Sequence, residues 1–373
     1  MSTTLVTGAD GYLGSRLVSA MLESTDEVFL LAVRANDAAE LDAKRALLDA
    51  ELSAGSQTTA GSRTMVVAAD LTRDDALAGV DPRPVTAIVH AAAVTRFNVD
   101  RQTADRVNVA GTARLARFAQ RCPRLRRVTL LSTLYTAGRR TGEVTEQRHD
   151  DAGFVNCYEW SKWRAECHLL DSGLPLSVLR LPTVIAEDDS GRVAQYNAFH
   201  NTLKLFYYGL LSLVPGDPAT PLSLATASFT TAAVTHLVRP DAPAGIYHLT
   251  PDPADTLTLG QLIETIFTVY ERDDTYRRRN LLRPIHCDQR SFEDMVDVAR
   301  RLRGGPIEQT LASVAPFGTQ LYLPKTFRNP ALRAAWPGYA APDPLTLAEA
   351  VTGYLVASRW GRQSPTRQLE KIV

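Results

Sequence analysis

Short apolar runs alternate with longer amphipathic stretches through the first half of this 373-residue chain. The runs Thr4–Val6, Val28–Val33, Thr64–Ala68, Ala87–His90, Val128–Ser132 and Ser177–Arg180 are short and dominated by apolar residues, which predicts buried strands. Between them, Leu13–Leu22, Ala38–Ala54, Arg101–Arg121 and Cys157–Leu170 read as helices. Strands that alternate with helices imply an α/β fold, a doubly wound parallel sheet covered on both faces. Ligands of such sheets bind beyond the carboxyl ends of the strands, near the switch in strand order.

After Val184 the pattern changes. Gln195–Leu213 reads as one helix rich in aromatic and apolar residues, and proline-rich stretches follow around Asp252–Asp255 and Pro337–Pro344. The expected organisation is residues 1–184 as a nucleotide-binding domain and residues 185–360 as a smaller α+β substrate-binding lobe interleaved with late sheet elements. Residues 361–373 form a polar tail.

The sharpest local signal is Leu5-Val6-Thr7-Gly8-Ala9-Asp10-Gly11-Tyr12-Leu13-Gly14, an apolar strand that runs into three glycines spaced three apart and then into a helix. Glycines there let the backbone approach a pyrophosphate, and a helix N-terminus offers N–H groups and a positive dipole end. An ordinary strand–helix turn has no need of glycine three times.

Composition narrows the partners. Formal net charge is zero, with no basic stripe and no acidic tail, which argues against nucleic acid and anionic membrane. No apolar run is long enough to span a bilayer and no signal peptide is evident. The four cysteines show no CxxC spacing, so neither a metal site nor a disulfide scaffold is suggested, and a cytoplasmic location is expected. Lysine is rare, five against thirty-six arginines, so each lysine position carries more information.

One such position lies in Tyr158-Glu159-Trp160-Ser161-Lys162, where tyrosine and lysine are four apart and share a helix face. An ammonium near a phenol favours the phenolate, so a Tyr158 pKa lowered toward neutrality is expected. Such a tyrosine can donate a proton to a carbonyl oxygen as hydride arrives at carbon. The strand end Leu130-Leu131-Ser132-Thr133 adds hydroxyls facing the same place, and Thr133 could hydrogen-bond a substrate carbonyl.

Together these motifs resemble the extended short-chain dehydrogenase/reductase superfamily, and more narrowly its fatty acyl-CoA reductase and thioester reductase branch, often called male-sterility-like. Residues 3–270 carry the resemblance, in Thr7–Gly14, Val89-His90-Ala91-Ala92-Ala93-Val94-Thr95-Arg96-Phe97-Asn98, Asn108-Val109-Ala110-Gly111-Thr112, Ser132-Thr133-Leu134-Tyr135 and Tyr158–Lys162. Val214-Pro215-Gly216-Asp217 and Ile246-Tyr247-His248-Leu249 match further segments of that branch. The resemblance implies a Rossmann-type sheet and a catalytic triad of Thr133, Tyr158 and Lys162. Thr7, Gly8, Gly11, Tyr12, Leu13 and Gly14 would hold the pyrophosphate turn, and Asp70 and Leu71 would flank the adenine. Ala91, Ala92 and Ala93 would line the cofactor, Lys162 would hold the nicotinamide ribose, and Pro182, Thr183 and Val184 would approach the nicotinamide. Asn108 would support the site. Two departures stand out: Arg180-Leu181-Pro182 displaces by one a proline that usually follows the arginine directly, and Ala186 stands where glycine is common.

Cofactor choice follows from charge. A carboxylate at the end of the second strand would bind the ribose hydroxyl of NAD, whereas this chain has Arg34 there, with Arg45 on the next helix. Guanidinium groups suit a phosphate, so NADP(H) is expected, although Asp37 could still contact a ribose. His90 reads as part of the cofactor loop, His200, Trp160 and Trp163 as packing, and Phe97, Tyr135 and Tyr196 as pocket lining. The expected reaction is hydride delivery to an acyl thioester, as a small molecule or on an acyl carrier protein. A ketone or other carbonyl reductase, a nucleotide-sugar epimerase or dehydratase, and a non-catalytic NADPH-binding protein remain as alternatives. A homodimer through helices Arg101–Arg121 and Cys157–Leu170 is a further expectation.

Overall fold

The first apolar run folds as strand β1 (Thr3–Thr7), turns at the glycines, and continues as helix α1 (Tyr12–Ser24). Then follow β2 (Val28–Val33), α2 (Ala38–Gly55), β3 (Thr64–Ala68) and β4 (Val85–His90). After α3 (Arg101–Ala104) and α4 (Ala110–Ala119) come β5 (Arg127–Thr133), α5 (Cys157–Leu170), β6 (Leu176–Leu181), α6 (Ala198–Tyr207) and β7 (Ile246–His248). This computed structural model describes residues 2–55, 63–301 and 315–361; of the expected tail 361–373, residues 362–373 lie outside them.

The seven strands form one sheet in the order β3-β2-β1-β4-β5-β6-β7, and every pair is parallel. Strand order reverses between β1 and β4. Alternate side chains feed two cores: Val6, Leu31 and Val33 meet Leu17, Val18 and Met21 of α1 on one face. Leu5, Leu30 and Ile88 meet Leu115 and Phe118 of α4 on the other. Burial on both faces is why the strands read as continuous apolar runs. β7 completes the sheet late in the chain, and helix Ala227–Leu237 packs on α1, so the second half returns to the sheet. A third core, with Phe199, Phe206, Phe267, Tyr270, Val351 and Leu355, joins α6 to helices Leu259–Tyr270 and Pro344–Ala357.

Two predicted helices differ from those observed. The span Arg101–Arg121 is interrupted by a π turn at Asp105–Val109 between α3 and α4. The span Gln195–Leu213 is helical only over Ala198–Tyr207. Asn197 caps its start in a capping box with His200, Gly209 stops its end at φ +67°, and Leu213–Pro215 pairs as a short strand with Ile285–Cys287. Among the described residues no helix is long and apolar enough to cross a membrane.

Candidate active site

The glycine turn sits at the switch in strand order. Gly8 leaves β1 at φ +69°, and a Cβ there would stand 2.7 Å from the Ala92 nitrogen. A Cβ on Gly14 would stand 2.0 Å from the Gly8 carbonyl oxygen, so α1 can press onto the turn only with glycine there. Gly11 is the N-cap and brings no side chain to the first-turn N–H groups. The result is a backbone cradle at a positive helix end, which fits the pyrophosphate of a dinucleotide.

Thr7 points inward. Its Oγ1 lies 2.7 Å from His90 Nδ1 and accepts from the Ala92 N–H at 3.3 Å, tying the ends of β1 and β4 together. His90 Nε2 lies 3.0 Å from Thr112 Oγ1. Burial, aided by the Lys162 charge, pushes the His90 imidazole down to about 3, so it is a neutral link. Tyr12 lies beneath the Arg16 guanidinium at 4.1 Å, and Arg16 forks onto Glu187 at 2.9 and 2.8 Å. Leu13 packs against the α1 core, and Ala91, Ala92 and Ala93 lie half-buried after β4.

At the end of β2, Arg34 is exposed, and its carbonyl accepts from Lys44 Nζ at 2.7 Å. Lys44 also pairs with Asp10 of the glycine turn at 2.9 Å. Arg45 instead pairs with Asp42 on the exposed side of α2. The structure thus brings Lys44 to the cradle, a residue whose only sequence signal was the scarcity of lysine. Asp37 Oδ1 accepts the Glu40 N–H at 2.8 Å. Asp70 Oδ1 closes a turn onto Thr72 at 2.9 and 2.8 Å, and Leu71 is buried against Gly111.

The three candidate catalytic side chains lie beyond β5. Asn156 caps α5 by accepting the Glu159 N–H, which fixes Tyr158 and Lys162 one turn apart. Thr133 ends β5 and is buried, with its hydroxyl close to the Tyr158 phenol. Lys162 Nζ donates to the Leu131 carbonyl at 2.7 Å, and burial lowers its pKa to about 8 against the opposing pull of Glu166. The expected lowering of the Tyr158 pKa is not found: burial raises it, Tyr135 and Glu159 add to the rise, and only Thr133 opposes it. Burial outweighs any pull toward ionisation, so the phenol stays protonated.

Asn108 occupies the π turn and braces this cluster. Its Oδ1 accepts the Val94 N–H at 2.8 Å, while Nδ2 donates to the Val94 carbonyl at 3.0 Å and to Ser161 Oγ at 2.8 Å. Beside it, Phe97 stands 5.6 Å from the Tyr158 ring and 5.3 Å from Tyr135. The Tyr135 hydroxyl lies 3.1 Å from Thr183 Oγ1; Pro182 is buried, and Val184 accepts from Asn197 Nδ2 at 2.9 Å. Tyr196 packs against His200 in the second lobe, and His200 holds the Ile185 carbonyl at 2.9 Å. Trp160 stacks under Arg101, and Trp163 donates to the His149 carbonyl.

A buried ionic cluster behind α5 escaped the sequence reading. Arg180, fully buried in β6, pairs with Glu166 at 2.8 Å, and Glu166 accepts from Ser132 Oγ at 2.5 Å. Arg180 also reaches His149 and His248 at 2.8 and 3.3 Å. A charged residue inside an apolar strand, with a glutamate four beyond Lys162, was its available signal.

A sheet of this topology, with an anion cradle at its switch point, binds a dinucleotide, and the class it defines is the NAD(P)-dependent oxidoreductases of the extended short-chain type. More narrowly, residues 6–234 match the model of the Male sterility protein family, more than half of the chain, and the chain belongs to that family. It is 28% identical over 160 residues to fatty acyl-CoA reductase 2, chloroplastic, of Arabidopsis thaliana, which covers 38% of this chain and 26% of that protein. The chain spans between 14% and 26% of the length of the curated relatives it matches. Its fold is similar to the terminal R domain from the myxalamid PKS-NRPS biosynthetic pathway, with a TM-score of 0.75, 19% identity, and coverage of 96% of this chain and 92% of that one. It is also similar to a thiolation-reductase di-domain from an archaeal non-ribosomal peptide synthetase, with a TM-score of 0.70, 15% identity, and coverage of 96% and 76%.

Proposed function

We propose that this protein is an NADPH-dependent reductase of acyl thioesters, carried on CoA or on a carrier protein, with an aldehyde or alcohol as product. The observation that carries the reading is the convergence of Thr133, Tyr158 and Lys162 beside the dinucleotide cradle. Membership of the family and likeness to terminal reductase domains support the thioester as substrate, and likeness to a thiolation-reductase di-domain supports a carrier protein as partner.

When bound, the reduced nicotinamide supplies hydride to the carbonyl carbon. Tyr158, held protonated by burial, gives its proton to the oxygen as charge builds there, and the resulting hemithioacetal then breaks its C–S bond, the hydroxyl proton passing to sulfur, to give aldehyde and thiol. Thr133 donates a hydrogen bond to the same oxygen. Lys162, cationic below about pH 8, offsets the phenolate left behind and would hold the nicotinamide ribose. Gly8, Gly11 and Gly14 would hold the pyrophosphate. Preference for the 2′-phosphate is supported by exposed Arg34 at the end of β2, with Lys44 beside it and the Asp37 carboxylate engaged in a cap.

A thioester leaves a thiol and a ketone does not. Enzyme, NADPH and a short acyl thioester should release free thiol as nicotinamide absorbance falls. One thiol per NADPH indicates the aldehyde, and one per two indicates the alcohol. NADPH oxidation on ketones, with no thiol from any acyl-CoA or acyl-carrier tested, would replace this reading with a carbonyl reductase.

A further inference from the structure

Among the described residues, Lys162 and Lys325 are the buried lysines, and the chemistry above uses only the first. Lys325 is 7% exposed and lines a pocket together with Leu134, Tyr135, Thr183, Phe317 and Gln320. That pocket adjoins the reacting groups. Leu134 follows Thr133 directly, and Phe97, 5.6 Å from the Tyr158 ring, stacks on Phe317 at 6.5 Å.

The ammonium is held but not neutralised. Lys325 Nζ donates to Gln320 Oε1 at 2.8 Å and to the Leu323 carbonyl at 3.1 Å, two bonds for a group with three donors. Gln320 Nε2 donates in turn to Glu159 Oε1 at 2.7 Å, so an amide stands between the ammonium and that carboxylate. Glu159 already accepts from Val155 N and Asn156 Nδ2. Among the described residues no carboxylate bonds the ammonium directly; Glu159, the acidic group acting on it, is reached only through Gln320. Here the geometry presents it to the cavity.

We propose that Lys325 determines acyl specificity: the pocket takes an acyl group that bears a second carboxylate, bound by the Lys325 ammonium. The inference rests on the thioester reading for what the acyl group is attached to. The remaining walls, Leu134, Tyr135 and Phe317, suit the intervening methylenes. A plain alkyl chain would leave the desolvated ammonium without an anion, and this is the kind of site that discriminates strongly between ligands.

Binding can be read without turnover by titrating the amide isosteres of glutaryl- and pentanoyl-pantetheine, which differ only in the terminal group. Wild type should bind the glutaryl form about ten- to hundredfold tighter. Lys325→Met should abolish or reverse that preference while melting cooperatively, and Lys325→Arg should keep part of it. Equal binding by wild type, or a preference that survives in folded Lys325→Met, overturns the proposal. If Lys325→Met does not fold, the wild-type and Lys325→Arg titrations decide. Thiol release from the two true thioesters then separates the claims: a carboxylate preference without any reduction refutes thioester reduction and leaves the carboxylate site standing.

Discussion

Tyr158 shows how burial can reverse a residue-level expectation while keeping its consequence. Spacing alone suggested that Lys162 would pull the phenol toward ionisation, but the buried ammonium is turned to the Leu131 carbonyl and the phenol is raised. A proton donor must be protonated, so the raised value suits reduction. Tyr158→Phe should retain cofactor affinity and lose about 10²–10⁴-fold in turnover, read by single-turnover kinetics and cofactor titration. Near-native turnover would remove Tyr158 from the chemistry. Because Lys162 loses its proton near pH 8 rather than near 10.5, and the cation is the working form, kcat/KM should fall as pH rises through about 8. A profile flat to pH 10 would show that the charge is not needed. At the other end of the cradle, Arg34→Ala should weaken NADPH about ten- to hundredfold and leave NADH nearly unchanged, since only NADPH carries the phosphate. Equal weakening would make Arg34 structural.

At the scale of elements, α5 is held from both sides. Asn108 in the π turn braces Ser161, and the Arg180–Glu166 pair fastens the helix to β6. Removing one partner of a buried ion pair strands the other charge away from water. Glu166→Ala should therefore cost about 3–5 kcal/mol, measured as a lower denaturation midpoint. Replacing both partners with Leu and Met should recover much of the loss. A single-variant cost below 1 kcal/mol would mean that water reaches Arg180. The π turn had no sequence signature, because helical periodicity over Arg101–Arg121 tolerates one wide turn without breaking the apolar face.

For the whole molecule, the Glu159–Gln320–Lys325 chain links the helix bearing Tyr158 to a segment some 160 residues later. Burial raises Glu159 to about 7 from an ordinary 4.5. A raised carboxyl favours folding when protonated, so its contribution is full below 4.5 and is lost as pH rises through 7. Glu159→Gln keeps an acceptor for Gln320 and removes the titration. Wild type should therefore lose stability relative to Glu159→Gln between pH 4.5 and 7.5, followed by urea denaturation. A constant difference across that range would mean that Glu159 stays charged throughout.

The strand–glycine–helix start and the β–α alternation were legible because they are local. A turn that must admit backbone at 2.7 Å needs glycine whatever surrounds it, and strands buried on both faces must be apolar along their whole length. The placement of Tyr158 and Lys162 on one helix and of Thr133 at a strand end was legible for the same reason. The late return of β7 to the sheet, Lys44 rather than Arg45 at the glycine turn, the shortened α6 and the direction of the Tyr158 shift were decided by tertiary structure. Each depends on which distant groups share a buried volume. Desolvation and pairing across the fold set charge states and partners, and neither is written in the spacing of residues along the chain.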